Sequence, residues 1–175
     1  MLAIQFGVLF WLGQPLISAS GEVKLWHGVV LSDGNSQHLT DWYTPSHIIH
    51  GILFYALLTF FAPKLSLRKR FLIALGIEVF WELLENTPWL IDHYRQQALA
   101  QGYIGDSIVN SMMDTVAMIL GFIIARKSPI LFSIALVLAL ELWVGYFIHD
   151  NLVLNILNFI YPIDAISEWQ ISPTP

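Results

Sequence analysis

The feature that most constrains this chain is a row of carboxylates inside an apolar helical stretch. Residues 77–88 read Ile-Glu-Val-Phe-Trp-Glu-Leu-Leu-Glu-Asn-Thr-Pro. At 100° per residue, spacings of four and seven place Glu78, Glu82 and Glu85 within roughly 60° of arc, on one helix face. The flanking residues are those of a membrane span, where a charged side chain at the bilayer centre costs about 2.5–3.5 kcal/mol on insertion scales. Ionisable residues so placed face a protein interior or a wet cavity, and they mark function. The fold must give these carboxylates an internal surface to face.

Composition agrees with a membrane setting. Of the 175 residues, 56% are hydrophobic and 12% charged, against about 25% charged in an average soluble domain. Mean hydropathy is +0.63. We expect a single integral-membrane domain over residues 1–175, all-α, a polytopic helical bundle. The absence of cysteine excludes disulfides, thiolate metal ligands and a cysteine nucleophile. A net charge of −5, with no basic tract beyond one short loop, excludes nucleic acid as a partner.

Taken in order, the chain predicts about five transmembrane helices and a short interfacial one. Residues 1–17 are apolar apart from Gln5 and Gln14. They read as a short first span or as a signal-peptide core before Ser18-Ala19-Ser20, and the lack of a preceding Lys or Arg favours the span. A polar loop over 18–45 holds Trp26, His27, His38, Trp42 and Tyr43, residue types that belong at the membrane–water interface. Thr44-Pro45 reads as N-cap and first helical residue of a second span ending near Ala62. After the basic loop 63–70, a third span starts at Phe71 and breaks near Asn86, because Thr87-Pro88 repeats the cap-and-proline pattern. Residues 88–101 form the interfacial helix, stopped at Gly102. Spans four and five cover about 106–125 and 130–149. The tail after Asp150 is apolar but broken by Asn151, Asn155, Asn158 and Pro162, and it either lies along the membrane surface or re-enters it.

Basic residues set the orientation. Lys64, Arg68, Lys69, Arg70, Arg126 and Lys127, six of the eight Lys and Arg, sit in two loops separated by two spans. Those loops share a side, and positive-inside makes it the cytoplasm. The N-terminus is then cytoplasmic. The start of span two, the end of span three, the start of span four and the end of span five all fall on the periplasmic side. Those four ends carry His47 and His50; Glu82, Glu85 and Asn86; Asp106, Asn110 and Asp114; and His149 and Asp150. Asp106, Asn110 and Asp114 recur every four residues and are followed by the small Ala117 and Gly121, which suit close helix packing. Glu141, Gly145 and His149 repeat that spacing in span five. Four helices therefore direct polar faces at one cavity open to the periplasm.

Each group also has a plain structural role open to it. Asp106 after Gly105 reads as an N-cap, His47 and His50 as interfacial histidines bonded to backbone, Asn86 as a helix-end residue, and the Glu triplet as protonated structure. Charge arithmetic weighs against these roles jointly. Glu78, Glu82, Glu85, Asp106, Asp114 and Glu141 have no Lys or Arg within the spans to pair with, so protons or a bound cation must compensate them. Histidine and carboxylate at one depth suit a divalent metal ion such as zinc, manganese or iron.

Several motifs carry a resemblance. His38 with Asp41-Trp-Tyr-Thr-Pro-Ser-His-Ile-Ile-His-Gly51, then Trp81-Glu-Leu-Leu-Glu-Asn-Thr-Pro88, Gly105-Asp-Ser-Ile-Val-Asn110 and His149-Asp-Asn151, resemble an uncharacterised bacterial integral-membrane family catalogued only as a domain of unknown function. The resemblance runs from about Val23 to Trp169. It implies a multi-spanning inner-membrane protein and carries no activity with it.

The leading functional expectation is a metal-dependent membrane hydrolase or transferase acting on a lipid or lipid-linked headgroup. His47, His50, Glu82, Glu85, Asp106 and Asp114 would supply metal ligands, and a metal-bound water of lowered pKa would be the nucleophile. His149 would handle protons, with Asp150 beside it as the second catalytic candidate. No Gly-x-Ser-x-Gly is present, which argues against a serine hydrolase. The alternatives are a cation- or proton-coupled carrier, in which the same carboxylates titrate, and a non-catalytic accessory subunit of a membrane-protein complex. The topology has a direct test. Reporter fusions at Ser66 and Ser128 are expected to report cytoplasm and fusions at Gly34 and Gln101 periplasm, whereas a periplasmic signal at Ser66 inverts the orientation.

Overall fold

The computed structural model describes residues 1–172, and their regular structure is helical. The order is α1 (Leu2–Trp11), α2 (Thr44–Phe61), α3 (Leu67–Glu85), α4 (Pro88–Tyr94), α5 (Ile108–Lys127), α6 (Ile130–Ile148), α7 (Leu152–Ile160) and α8 (Asp164–Gln170). Three of these, α2, α5 and α6, are long and apolar enough to cross a membrane, and they mark the chain as a membrane protein. Helix α3 has 19 residues, as many as α6, but carries Arg68, Lys69 and Arg70 at one end and the three glutamates towards the other. Helix α1 has only 10 residues, about 15 Å of rise, half of a hydrocarbon core of about 30 Å.

Local signals set the helix starts. Ser66 Oγ accepts from Lys69 N at 3.4 Å, Ser107 Oγ from Asn110 N at 3.2 Å, and Asn151 Oδ1 from Leu154 N at 2.9 Å. Each satisfies a first-turn N–H that has no partner within its own helix. Thr87 with Pro88 opens α4 as expected, but α4 ends at Tyr94, and turns carry the chain on towards Gly102. Two expected caps act otherwise. Thr44 is already helical, its hydroxyl accepting from Asp41 N at 3.1 Å and donating to Asp114 Oδ1 at 3.1 Å. The cap of α5 is Ser107, which leaves the Asp106 carboxylate free for other partners.

The centre of the bundle is the α2–α5 pair, where glycines let the backbones touch. A Cβ at Gly51 would collide with the Met118 carbonyl, and one at Gly121 with the Ile48 carbonyl. Helix α3 packs across this pair through Ala74, Leu75 and Val79 against Met118 and Phe122. Tyr55 and Phe71 meet the Phe122 ring edge-on, with centroids 5.2 and 5.3 Å away. Helix α1 is tied in by its buried Gln5, whose Nε2 donates to Ser111 O at 3.1 Å and Ser111 Oγ at 2.9 Å, while Oε1 accepts from Thr115 Oγ1 at 3.0 Å. The loop aromatics pack on α6 rather than lying free: the Trp42 ring is 5.1 Å from Trp143 and 5.5 Å from Phe147.

The face Glu141–Gly145–His149 differs from the expectation that it lines the cavity. The two Glu141 carboxylate oxygens accept from Leu152 N and Val153 N, each at 3.1 Å. Asn151 Nδ2 donates to the Glu141 carbonyl at 3.3 Å and would lie 3.1 Å from a Cβ at Gly145. His149 ends α6 in the left-handed region, φ 55°. The tail therefore folds back along α6, and α7 starts beside Glu141, about 10 Å inside the end of α6 at 1.5 Å per residue. From there α7 crosses to α3 and α4, where Phe159 meets His93 and Trp81 at centroid distances of 4.8 and 6.5 Å.

The α2–α5 contact gives a stability prediction. Gly51→Ala and Gly121→Ala are each expected to push the helices apart and destabilise the protein by about 1–3 kcal/mol, the range for overpacking. Gly102→Ala, with open space around it, serves as the control. Unfolding in detergent followed by circular dichroism checks this, and wild-type stability in both core variants would refute the close contact.

Candidate functional site

The helix ends that carry polar residues meet at one end of the bundle. His47, one turn into α2, has Nδ1 2.7 Å from Glu78 Oε1 and 3.3 Å from Glu82 Oε1, with Nε2 3.9 Å from Asp114 Oδ2. His50 Nδ1 lies 3.2 Å from Glu78 Oε2. The spacing of three in α2 thus turns both imidazoles to one carboxylate on α3. Glu78 and Glu82 are fully buried, and Asp114 is 4% exposed.

The second half of the site is built around Asp106. Its Oδ2 accepts from Asn86 Nδ2 at 2.7 Å, its Oδ1 from Tyr103 OH at 2.8 Å, and its own N–H donates to Asn86 Oδ1 at 2.7 Å. The preceding Gly105 has φ +91°, and a Cβ there would lie 2.9 Å from Asn86 Oδ1, so glycine is needed both for the turn and for the approach. Asn86 fills both roles open to it: it ends α3 and holds Asp106. Burial pushes the Asp106 carboxyl up to about 6, opposed by the hydrogen bonds from Asn86 and Tyr103.

Glu82 occupies the boundary between the two halves. Its Oε2 accepts from Ser111 Oγ at 2.6 Å, and Ser111 is held in turn by Gln5. Its Oε1 is buried and has no hydrogen-bond donor. An imidazole Nδ1 carries at most one hydrogen, and at His47 the nearer acceptor is Glu78. A fully buried carboxylate oxygen without a donor is costly, and here it faces a histidine in a space bounded by further acids. Two groups of residues bring ligand atoms within 4.8 Å of one another: His47, His50 and Glu78, and Glu82, Glu85 and Asp106.

A cavity of about 550 Å³ runs past these groups. Tyr43, His47, His50, Glu78, Glu85, Asp106 and Asp114 line its polar end, and Leu53, Leu57, Ile77, Trp81, Ile156 and Ile160 line the apolar remainder. Leu53, Leu57 and Ile77 are 41–50% exposed, so the apolar part is open where α2 and α3 carry them.

The six expected ligands thus gather at one end of the bundle, split into two groups, with Glu82 between them and Asp114 beside His47. The two catalytic candidates separate. Asp150 lines the cavity, its Oδ2 accepting from Tyr43 OH at 3.3 Å and its Oδ1 from Gln170 Nε2 at 3.2 Å. His149 is not among the lining residues: its ring stacks on Trp169 with centroids 4.4 Å apart, and Nδ1 lies 2.9 Å from the Trp169 carbonyl. Sequence reasoning put Glu78 on the acidic face without making it a ligand, although its spacing from Glu82 carried the signal. Asp41, which is 1% exposed, received no role. It accepts from Tyr43 N at 2.8 Å and Ser36 N at 3.1 Å, and burial pushes its carboxyl up against those bonds. Its place just before Trp-Tyr-Thr-Pro was the available cue.

Fold and site together define a helical membrane-bundle protein with an acid- and histidine-lined cavity. The chain belongs to the family described as "Protein of unknown function (DUF2585)", whose model matches residues 9–172. It is similar to the UPF0314 protein of Rhizobium johnstonii, 51% identical over 170 residues, 97% of this chain and 87% of that one. The UPF0314 protein of Rhizobium meliloti is 49% identical, over 97% of this chain and 86% of its own length. That of Sphingopyxis alaskensis is 44% identical, over 97% and 90%. No solved structure matches the chain.

Burial pushes the Asp150 carboxyl up to about 7, opposed by the Asn151 N–H and the Tyr43 hydroxyl. A folded-state pKa above the unfolded value of about 3.9 gives stability that is complete below that value and lost as pH rises through about 7. We expect α8, tied to Asp150 through Gln170, to exchange its amide hydrogens faster at pH 8 than at pH 5 after correction for intrinsic rates, and Asp150→Asn to flatten the difference. Equal protection at both pH values in the wild type would contradict the buried, protonated carboxyl.

Proposed function

We propose that this protein is a metal-dependent inner-membrane enzyme acting on a lipid or lipid-linked headgroup. The observation that carries the reading is the two-natured cavity. Its polar end holds two histidines and several acids with no lysine or arginine, and its apolar end is lined by exposed side chains of α2 and α3. A ligand that fits has a polar head and a hydrocarbon tail, and it reaches the site from within the bilayer rather than from water.

The donor set fits a divalent cation. His47 Nδ1 lies 2.7 Å from Glu78 Oε1 and His50 Nδ1 3.2 Å from Glu78 Oε2, and the three residues bring ligand atoms within 4.8 Å of one another, a spacing from which an ion with bonds of about 2.0–2.1 Å can gather them. Neutral imidazoles with a carboxylate suit zinc, manganese or iron. The unpartnered Glu82 Oε1 is the acceptor such an ion would satisfy. A bound ion supplies Lewis acidity and a nucleophilic water near neutral pH. The chain supplies the rest. Asp114, steadied by Thr44, lies on the Nε2 side of His47 at 3.9 Å and favours positive charge there electrostatically. Asp150 lines the cavity and can hold or release a proton on the headgroup side, the role expected of His149. Leu53, Leu57 and Ile77 seat the acyl part, and Trp81 and Phe159 wall it off. On the orientation set by the basic loops, the polar end faces the periplasm.

Two measurements test this. Elemental analysis of protein purified without chelator is expected to find at least one divalent ion per chain. His47→Gln and Glu82→Gln are expected to weaken its retention by about 10–100-fold or more. In vesicles of bacterial polar lipids, mass spectrometry is expected to find headgroup conversion that stops on chelation and in His50→Gln. Metal-free protein at neutral pH, correctly folded, refutes the reading and leaves the carrier and accessory-subunit roles in its place.

A further inference from the structure

The possible ligands divide into two groups of different chemistry. His47, His50 and Glu78 offer two imidazole nitrogens and a carboxylate. Glu82, Glu85 and Asp106 offer oxygen alone. The first set suits a borderline ion, and the second a hard one such as magnesium or manganese.

We propose that the site holds two adjacent divalent cations, one on His47, His50 and Glu78 and one on Glu82, Glu85 and Asp106, with Glu82 on their shared boundary. This rests on the metal-enzyme reading above and goes further in assigning the second ion and its all-oxygen cage. An acidic cluster alone is weak ground, because carboxylates can share protons. The independent observation is Glu82: fully buried, engaged at Oε2 by Ser111, and left without a donor at Oε1, which points towards His47 at 3.3 Å. A carboxylate held by one oxygen and open at the other, between two sets of ligand atoms, is placed to reach an ion on either side.

Asp106 agrees with this. Asn86 and Tyr103 hold one carboxylate oxygen each, so the group is aimed before any ion arrives, and each oxygen keeps a lone pair for coordination. Glu85, half-buried and lining the cavity, completes the cage from the open side, which leaves room for water or substrate on the second ion. Paired ions about 3.5–4 Å apart stabilise the attacking and leaving oxygens of a displacement together. That is the reason an enzyme would keep a second cation among acids it could otherwise omit.

The test uses manganese(II) alone as probe, with the full chain in detergent. Equilibrium dialysis is expected to give two Mn per wild-type chain, and electron paramagnetic resonance the signature of a spin-coupled pair. Asp106→Asn is expected to retain one ion with an uncoupled six-line spectrum, and His50→Gln likewise to retain one. Wild-type stoichiometry and coupling need no variant, so a variant that misfolds does not blunt the result. One uncoupled ion per wild-type chain, lost alike in both variants, overturns the second site and leaves the single-metal reading standing. No bound ion overturns both.

Discussion

Burying acids without counter-ions is the constraint on which the rest of this structure depends. Asp41, Glu78, Glu82, Asp106, Asp114 and Asp150 are all buried, while no lysine or arginine is buried among the described residues. An unpaired charge in an apolar interior is expensive enough that it must be neutralised or held by donors. The chain answers with neutral donors brought from every direction: Ser111 to Glu82, Thr44 to Asp114, Asn86 and Tyr103 to Asp106, and Tyr43 and Gln170 to Asp150. Only His47 and His50 bring groups able to carry positive charge. The network crosses α1, α2, α3 and α5, so its geometry depends on how those helices meet.

The helix packing meets that requirement. With Gly51 and Gly121 at the crossing, α2 and α5 approach until backbone touches backbone, the close packing that small residues allow in a membrane. That approach sets Thr44 against Asp114 and His47 between α3 and α5. The polar layer stands above an apolar one, in which Phe122 and Met118 of α5 meet Ala74, Leu75 and Val79 of α3. In bilayer, where apolar burial drives helix association little, the directional bonds of the polar layer select one arrangement among several that the apolar layer would accept.

The C-terminal segment gives the cavity its second character. Glu141 caps α7 with both carboxylate oxygens, which satisfies free N–H groups of a helix start packed beside α6. This fixes the start of α7 against the side of α6. It brings Asn155, Ile156 and Phe159 to the cavity wall beside Leu53 and Ile77. The same glutamate that a charge count assigns to the site is thus the group that builds its side wall.

Much of this was legible in the order of residues. Periodicity placed α2, α3, α5 and α6, because apolar runs near bilayer length and signals such as Thr87-Pro88 act locally, although α3 starts at Leu67, within the expected basic loop. The shared depth of His47, Glu82 and Asp106 followed from tight basic loops that force neighbouring helices antiparallel. Other assignments needed the third dimension. Whether Asp106 caps α5 or Ser107 does depends on Asn86, twenty residues earlier. Whether Glu141 faces the cavity or α7 depends on a chain reversal after His149 that apolar residues broken by asparagines leave open. The division of one acidic face into two groups follows from the rotation and approach of α2 against α3, which no spacing along a single helix encodes. The sequence by itself determined a membrane bundle with its acids at one end, since local hydrophobicity and charge decide insertion. Only the tertiary structure decided which acids share a ligand and which hold the fold, since that choice is made by contacts between residues distant in the chain.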